Sequence, residues 1–298
     1  MGFLDNLLSG SKKDTSGPLF PRNRKEVFFD LFHNRKMALV EINLLCVLFA
    51  LPSILLIFLV FLYKGNIDAL IASGDIILVD PLNVELSKNI ILFQTNNALF
   101  AILIPLNLVA SLGLAGGFYV MQRLVYAENI SVWHDFFVGL KRNAREYSLL
   151  ALVISLSLFF LSFVTGYYKM AEMPLAVEII SYAVAVLQFV IVLGTCLFAF
   201  PQANLYQMKF GMLLKNSFRL FISSVFKSIG VLMMTLAPLG LLYVPVPMFQ
   251  SVVSVVLILF MFSFVILIWV LFANRYFDKY LNPHAHEEII DKGMKKSL

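Results

Sequence analysis

The side chains able to carry chemistry are sparse in this chain, and their spacing fits no reaction centre. Glu41 and Glu178 are the acidic candidates within its apolar stretches, and each stands near the end of one. Ionisable groups within lipid mark function by default, yet these positions read as interface residues rather than as a proton relay. Asn43, Asn107 and Gln188 are intramembrane amides, a type that more often bonds neighbouring helices than ligates a substrate. His284, His286, Glu287 and Glu288 cluster after Pro283 without further ligands, so they read as a polar tail rather than a metal site. No phosphate-binding glycine loop, HExxH pair or nucleophile motif occurs. Cys46 and Cys196 lie in apolar stretches, where a free thiol behaves as a small apolar group, and no CxxC pair occurs. These features predict a non-enzymatic protein with no cofactor and no metal.

What must position these residues is a set of membrane-spanning helices. The chain has 298 residues, 60% hydrophobic and 14% charged, with a mean hydropathy of +0.86. A soluble domain carries about 25% charged residues, so lipid must solvate much of this surface. About 20 apolar residues cross the hydrocarbon core as a helix, which places spans at 39–63, 97–121, 148–168, 175–199, 226–245 and 250–272. Helices are expected because lipid offers backbone groups no partner, and no ten-residue alternating strand pattern appears. The predicted class is all-α: a polytopic bundle of about six transmembrane helices with cytoplasmic interfacial amphipathic helices. Its parts are an N-terminal segment (1–36), a transmembrane domain (37–273) and a tail (274–298).

The basic residues set the orientation. All but three of the 23 Lys and Arg fall in the N-terminal segment, the gaps after spans 2 and 4, and the tail; Lys64, Lys88 and Lys169 are the exceptions. Cytoplasmic loops carry this excess, so both termini are expected in the cytoplasm. The net charge of +5 is this topology signal and predicts no nucleic-acid partner. Residues 1–36 lack the apolar core and cleavage site of a signal peptide. The one substantial outer loop, 64–94, holds Asp68, Asp75, Asp80 and Glu85 and reads as a solvated cap over the first hairpin.

Three cytoplasmic segments share the pattern Phe-x-x-Leu-x-basic-Asn just before an odd-numbered span: Phe28 to Asn34, Phe137 to Asn143 and Phe210 to Asn216. The pattern suits three tandem units of one orientation, each an interfacial helix and a two-span hairpin; convergence on common interface residues explains it as well. In the central copy Trp133, Phe136, Phe137, Leu140 and Tyr147 share a helical face, and Ser131 is a candidate N-cap. The prediction is an amphipathic helix lying in the interface, with Trp133, Phe136 and Phe137 as anchors and Asp135, Lys141, Arg142 and Asn143 as polar contacts to a partner. Phe210, Leu213, Leu214, Phe218 and Phe221 repeat the arrangement in the third copy.

Gly113, Gly116 and Gly117, with Ala110, Ser111 and Ala115, form a strip that lets another helix approach closely. Packing within the chain is the expected use, and a homo-oligomer is the alternative. Pro238 should kink span 5, while Pro245 and Pro247 suit the turn into span 6.

Glu41-Ile-Asn43 through Pro52, Leu112 through Tyr119, Glu128-Asn-Ile-Ser131-Val-Trp133-His-Asp135-Phe136-Phe137 with Lys141-Arg142-Asn143, then Phe200-Pro201-Gln202 and Leu214-Lys215-Asn216 follow one another in an order that resembles the YesL-like family of bacterial membrane proteins. The Trp-x-Asp-Phe-Phe segment with its Lys-Arg-Asn is the specific part. The outer loop is longer than in shorter members, and Ser53-Ile-Leu follows Pro52 where the family has a Thr-x-Gly-like turn. The resemblance implies a plasma-membrane protein encoded beside sugar importers of the ATP-binding cassette type. It therefore implies an accessory or regulatory partner of a transporter. The alternative is a self-contained transporter or channel for a neutral solute, with Asn107 and Gln188 lining its path.

Overall fold

The computed structural model describes residues 21, 23–80, 82–171, 174–244 and 246–294. Lys12, Lys13, Arg22, Lys295, Lys296 and Pro245 lie outside the described residues. Ten α-helices and two short 3₁₀ turns make up the fold, with no strand among the described residues: α1 (Arg24–Asn34), α2 (Lys36–Gly65), α3 (Ile67–Ala72), α4 (Val84–Val125), α5 (Val132–Met170), α6 (Leu175–Leu205), α7 (Phe210–Ser223), α8 (Val225–Gly240), α9 (Pro247–Tyr280) and α10 (Asn282–Ala285). The chain is an integral membrane protein of the multi-pass helical type. Five helices, α2, α4, α5, α6 and α9, are each long and apolar enough to cross a bilayer. The sixth expected crossing is the bent pair α7–α8, whose arms meet at 98°. With 16 residues, α8 rises only about 24 Å, short of the ~30 Å hydrocarbon core.

The chain leaves one end of the bundle and returns to it three times. Arg24 of α1 reaches Asp278 of α9 at 2.6 Å and donates to the Lys292 carbonyl at 3.2 Å. Lys292 bonds Glu128 in the α4–α5 turn at 2.7 Å. Asn143 of α5 donates to Asn204 of α6, and Tyr206 donates to Asn282. Both ends of the described chain and both intervening turns thus gather at one pole, the charged end. The pole opposite is the loop end, with α3 and residues 73–83.

α4 and α5 form the most extensive helix pair, α2 flanks α4, and α9 closes the bundle against α2, α4 and α6. The glycine strip makes this packing possible. A Cβ on Gly113 would lie 2.8 Å from Phe49, on Gly116 2.7 Å from the Phe136 ring, and on Gly117 2.7 Å from the Cys46 sulfur. All three glycines therefore pack within the chain, against α2 and α5. Asn43 donates to the Ile258 carbonyl at 2.5 Å and accepts from the Ser263 amide at 3.2 Å, which fastens α2 to α9. Gln188 takes the Ser157 hydroxyl at 3.1 Å between α5 and α6. These amides bond helix to helix.

The three repeated segments end in three different junctions. Arg35 (φ −123°, ψ 23°) separates α1 from α2, and Ser224 (φ −140°, ψ 27°) breaks α7 from α8. The central copy has no break. Residues 132–170 form one 39-residue helix, about 58 Å long. Here the structure departs from the expected separate interfacial helix. No Gly or Pro lies between Asn143 and Ser148, and the inward face of the segment packs on α4 rather than in lipid. α7 does keep an amphipathic form, burying Leu213, Ser217, Leu220 and Phe221 and exposing Met212, Phe218 and Ile222.

Candidate functional site

The first turns of α5 divide the predicted interaction residues into an inward and an outward set. Phe136 is fully buried over Gly116, 5.9 Å from the Phe49 ring. Asp135 is also buried. Its carboxylate takes the Arg123 guanidinium at 2.6 Å and the Ser131 amide at 3.0 Å, capping the helix that carries it. A carboxylate in the first turn also meets the positive end of the helix dipole. The Ser131 side chain makes no capping bond. Asn143 is buried on Asn204. Asp135, Phe136 and Asn143 are thus committed within the chain.

The outward set is Trp133, Phe137 and Lys141. Trp133 is 59% exposed and Phe137 43%. With His134 and Val138 they line an open groove of about 350 Å³. The inward contacts hold this groove in place, because each outward residue shares a helical turn with a buried one.

Arg142 points elsewhere. Its guanidinium lies 5.9 Å from the centre of the Tyr119 ring, and it borders a second, polar cavity of about 430 Å³ at the charged end. Tyr119, Gln122 and Tyr126 of the α4 terminus, Asn204 of α6 and Lys292 of the tail complete its walls. Glu128 lies between two cations, Lys292 at 2.7 Å and Arg123 at 2.8 Å. Partial burial pushes its carboxyl up, but the hydrogen bonds from Lys292 and Arg123 outweigh this and hold it below the usual carboxylate range. The tail crosses α4 at Gly293, whose φ is +83° and where a Cβ would lie 2.2 Å from the Val125 carbonyl oxygen. Only glycine meets both conditions without strain.

One turn deeper, Phe118, Phe200 and Trp269 meet with ring centres 5.5 to 6.4 Å apart. Beyond this aromatic layer is a mostly apolar cavity of about 410 Å³ between α2, α4, α5 and α9. Asn107 lines it and links Ser53 (3.2 Å) to Ser155 (3.0 Å). Gln188 does not border it.

His284 and His286 join no group of three or more metal-ligating residues among the described ones. His286 instead borders the polar cavity. The sequence reading passed over Gln122 and Tyr126, Asn204, and Lys292, which come from three distant parts of the chain; the positive charge of Arg123, Arg142 and Lys292 was the one available signal. No protein-family model, curated protein or solved structure matches this chain.

Proposed function

We propose that this chain is a YesL-like accessory protein of the bacterial plasma membrane, with both termini in the cytoplasm. It has no catalytic activity of its own and docks on a membrane transporter, of which a sugar importer of the ATP-binding cassette type is the leading case. The carrying observation is the groove of Trp133, Phe137 and Lys141 on a helix locked from behind by Asp135, Phe136 and Asn143. Aromatic anchors on a rigid support lose little entropy on binding and typically dominate an interface. The basic residues of the charged end support the cytoplasmic orientation. The test is gentle-detergent affinity purification from native membranes. Trp133→Ala with Lys141→Glu should reduce partner recovery by about tenfold or more at unchanged protein level. Equal recovery with wild type and variant would refute docking at this groove.

A second reading, passage of a neutral solute, is favoured by the intramembrane cavity and its Ser53–Asn107–Ser155 chain. The apolar lining suits an amphipathic solute better than a highly hydroxylated one. Solute flux in liposomes that falls on Asn107→Leu would support it, and flux indifferent to that change would remove it.

A further inference from the structure

The bent pair α7–α8 carries cations that nothing in the described chain neutralises. Residues 179–277 contain no Asp or Glu, yet hold Lys209, Lys215, Arg219 and Lys227 along α7 and its elbow. All four are exposed, and none forms an ion pair among the described residues. At the charged end, by contrast, Arg24, Arg123 and Lys292 each hold a carboxylate. The anion that answers α7 must come from outside its own stretch of chain.

The inner side of α7 fixes its place. The Ser217 hydroxyl donates to Gln202 Oε1 at 2.6 Å, and Phe221 covers Gly194, so α7 runs back along the last turns of α6. There the apolar run of α6 (175–199) gives way to Gln202 and Asn204, which puts α7 at the membrane boundary. Its outer side interleaves two kinds of group. Lys215 and Arg219 lie one turn apart. Phe218 and Ile222 lie one turn apart beside them, 43% and 52% exposed. Across the break, Phe226 is 90% exposed next to Lys227. A free anion would meet the cations and leave the apolar groups in water. Hydrocarbon alone would bury the apolar groups and leave the cations unmet. A phospholipid of negative charge supplies both at one depth.

We propose that the outer side of α7 and its elbow bind anionic phospholipid. Lys215 and Arg219 take the phosphate oxygens, Arg219 with the paired N–H groups that suit them. Phe218, Ile222 and Phe226 lie against the acyl chains, and Lys209 and Lys227 extend the cationic surface at either end. The rule that orients membrane proteins counts charges in loops; the placing of these cations within a turn of exposed apolar side chains is a separate feature. The proposal does not depend on docking at the Trp133 groove.

The test titrates the full chain in detergent with phosphatidylglycerol and, separately, with phosphatidylcholine, and native mass spectrometry reads the lipid retained. Phosphatidylglycerol should be preferred, and Lys215→Gln with Arg219→Gln should weaken its binding by about tenfold or more, as expected for two cations near an anionic surface. Both side chains are exposed, so the melting temperature should be retained. Arg275→Gln with Lys279→Gln removes the same charge from exposed positions of α9 and should leave the preference in place. Equal retention of the two lipids by the wild-type chain, or equal losses in the two double variants, overturns the proposal. So does saturable binding of inorganic phosphate that the Lys215 and Arg219 changes abolish while lipid retention stays the same. A second measurement reads the placement directly. Nitroxides are attached at Met212→Cys, early in α7, and at Phe226→Cys in phosphatidylglycerol nanodiscs; the native Cys46 and Cys196 are buried. Oxygen dissolved in lipid should relax the label at 226 and an aqueous nickel chelate the label at 212. Equal access of the chelate to both overturns the proposal.

Discussion

The two halves of α6 are both built mostly of apolar residues and have opposite roles. From Gly194 to Gln202 every residue is buried, against Phe221 of α7 and the aromatic layer of Phe118 and Trp269. From Leu175 to Leu187, Leu175, Val177, Ile179, Ile180, Val184, Val186 and Leu187 are exposed. The same contrast divides the molecule. The charged end is tied by Arg24–Asp278, Lys292–Glu128–Arg123–Asp135 and Asn143–Asn204. The loop end has the ion pair Lys88–Asp68, with Asp68 78% exposed, and an amide contact from Lys64 to Asn96. Hydrophobicity puts a helix in the membrane; glycine contacts and paired polar groups decide where it meets protein rather than lipid.

Ion-pair substitutions should show this difference most strongly. Arg24→Ala leaves Asp278 nearly buried beside Asn282 and should cost about 3 kcal/mol, the range for breaking a buried pair. Lys88→Ala should cost less than about 1 kcal/mol. Thermal melting in one detergent compares them, and equal shifts would break the contrast.

Glycine substitutions come next. A Cβ on Gly194 would stand 2.2 Å from the Phe221 ring, whereas one on Gly230 meets nothing within 4 Å. Gly194→Val should destabilise by about 1–3 kcal/mol through overpacking and loosen α7. Gly230→Ala should be neutral or stabilising by up to about 1 kcal/mol. A melting temperature lowered equally by both would contradict the packing described.

The tail offers a smaller, local effect. Gly293→Ala forces a side chain into a positive φ against the α4 carbonyls, a strain of about 1 kcal/mol or more. It should speed protease cleavage after Lys292 without unfolding the bundle, and unchanged cleavage would count against the crossing.

Acid should act on the same strap most mildly. The Glu128 carboxyl titrates below its unfolded value because Lys292 and Arg123 donate to it. Its contribution is therefore complete above the ordinary carboxylate pKa of about 4.3 and disappears as pH falls through the lower folded value. Tail cleavage should rise only in that acidic window, and Glu128→Gln should remove the dependence.

Much of this fold is legible in the sequence because length and apolarity admit few solutions in lipid. Five of the six expected spans are single long helices, and the sixth is the short arm α8 after Ser224. Nothing near Ser223-Ser224 is as strong a breaker as proline, which hides the 98° bend. The site is less legible. Asp135 and Asn143 look like contacts for an outside partner, because a polar side chain on a helix carries no label for who bonds it. Their partners, Arg123 and Asn204, lie 12 and 61 positions away. The polar cavity joins residues from 119 to 292, a juxtaposition that only the folded hairpins create.

Amide hydrogen exchange of the full chain in nanodiscs, comparing two water-facing segments, tests the central claim most directly: the charged end is a single rigid platform. The account predicts that residues 286–294 exchange much more slowly than the loop 73–83, and that Arg24→Ala brings the tail toward the loop's rate. Equal exchange of tail and loop in the wild-type chain would contradict it.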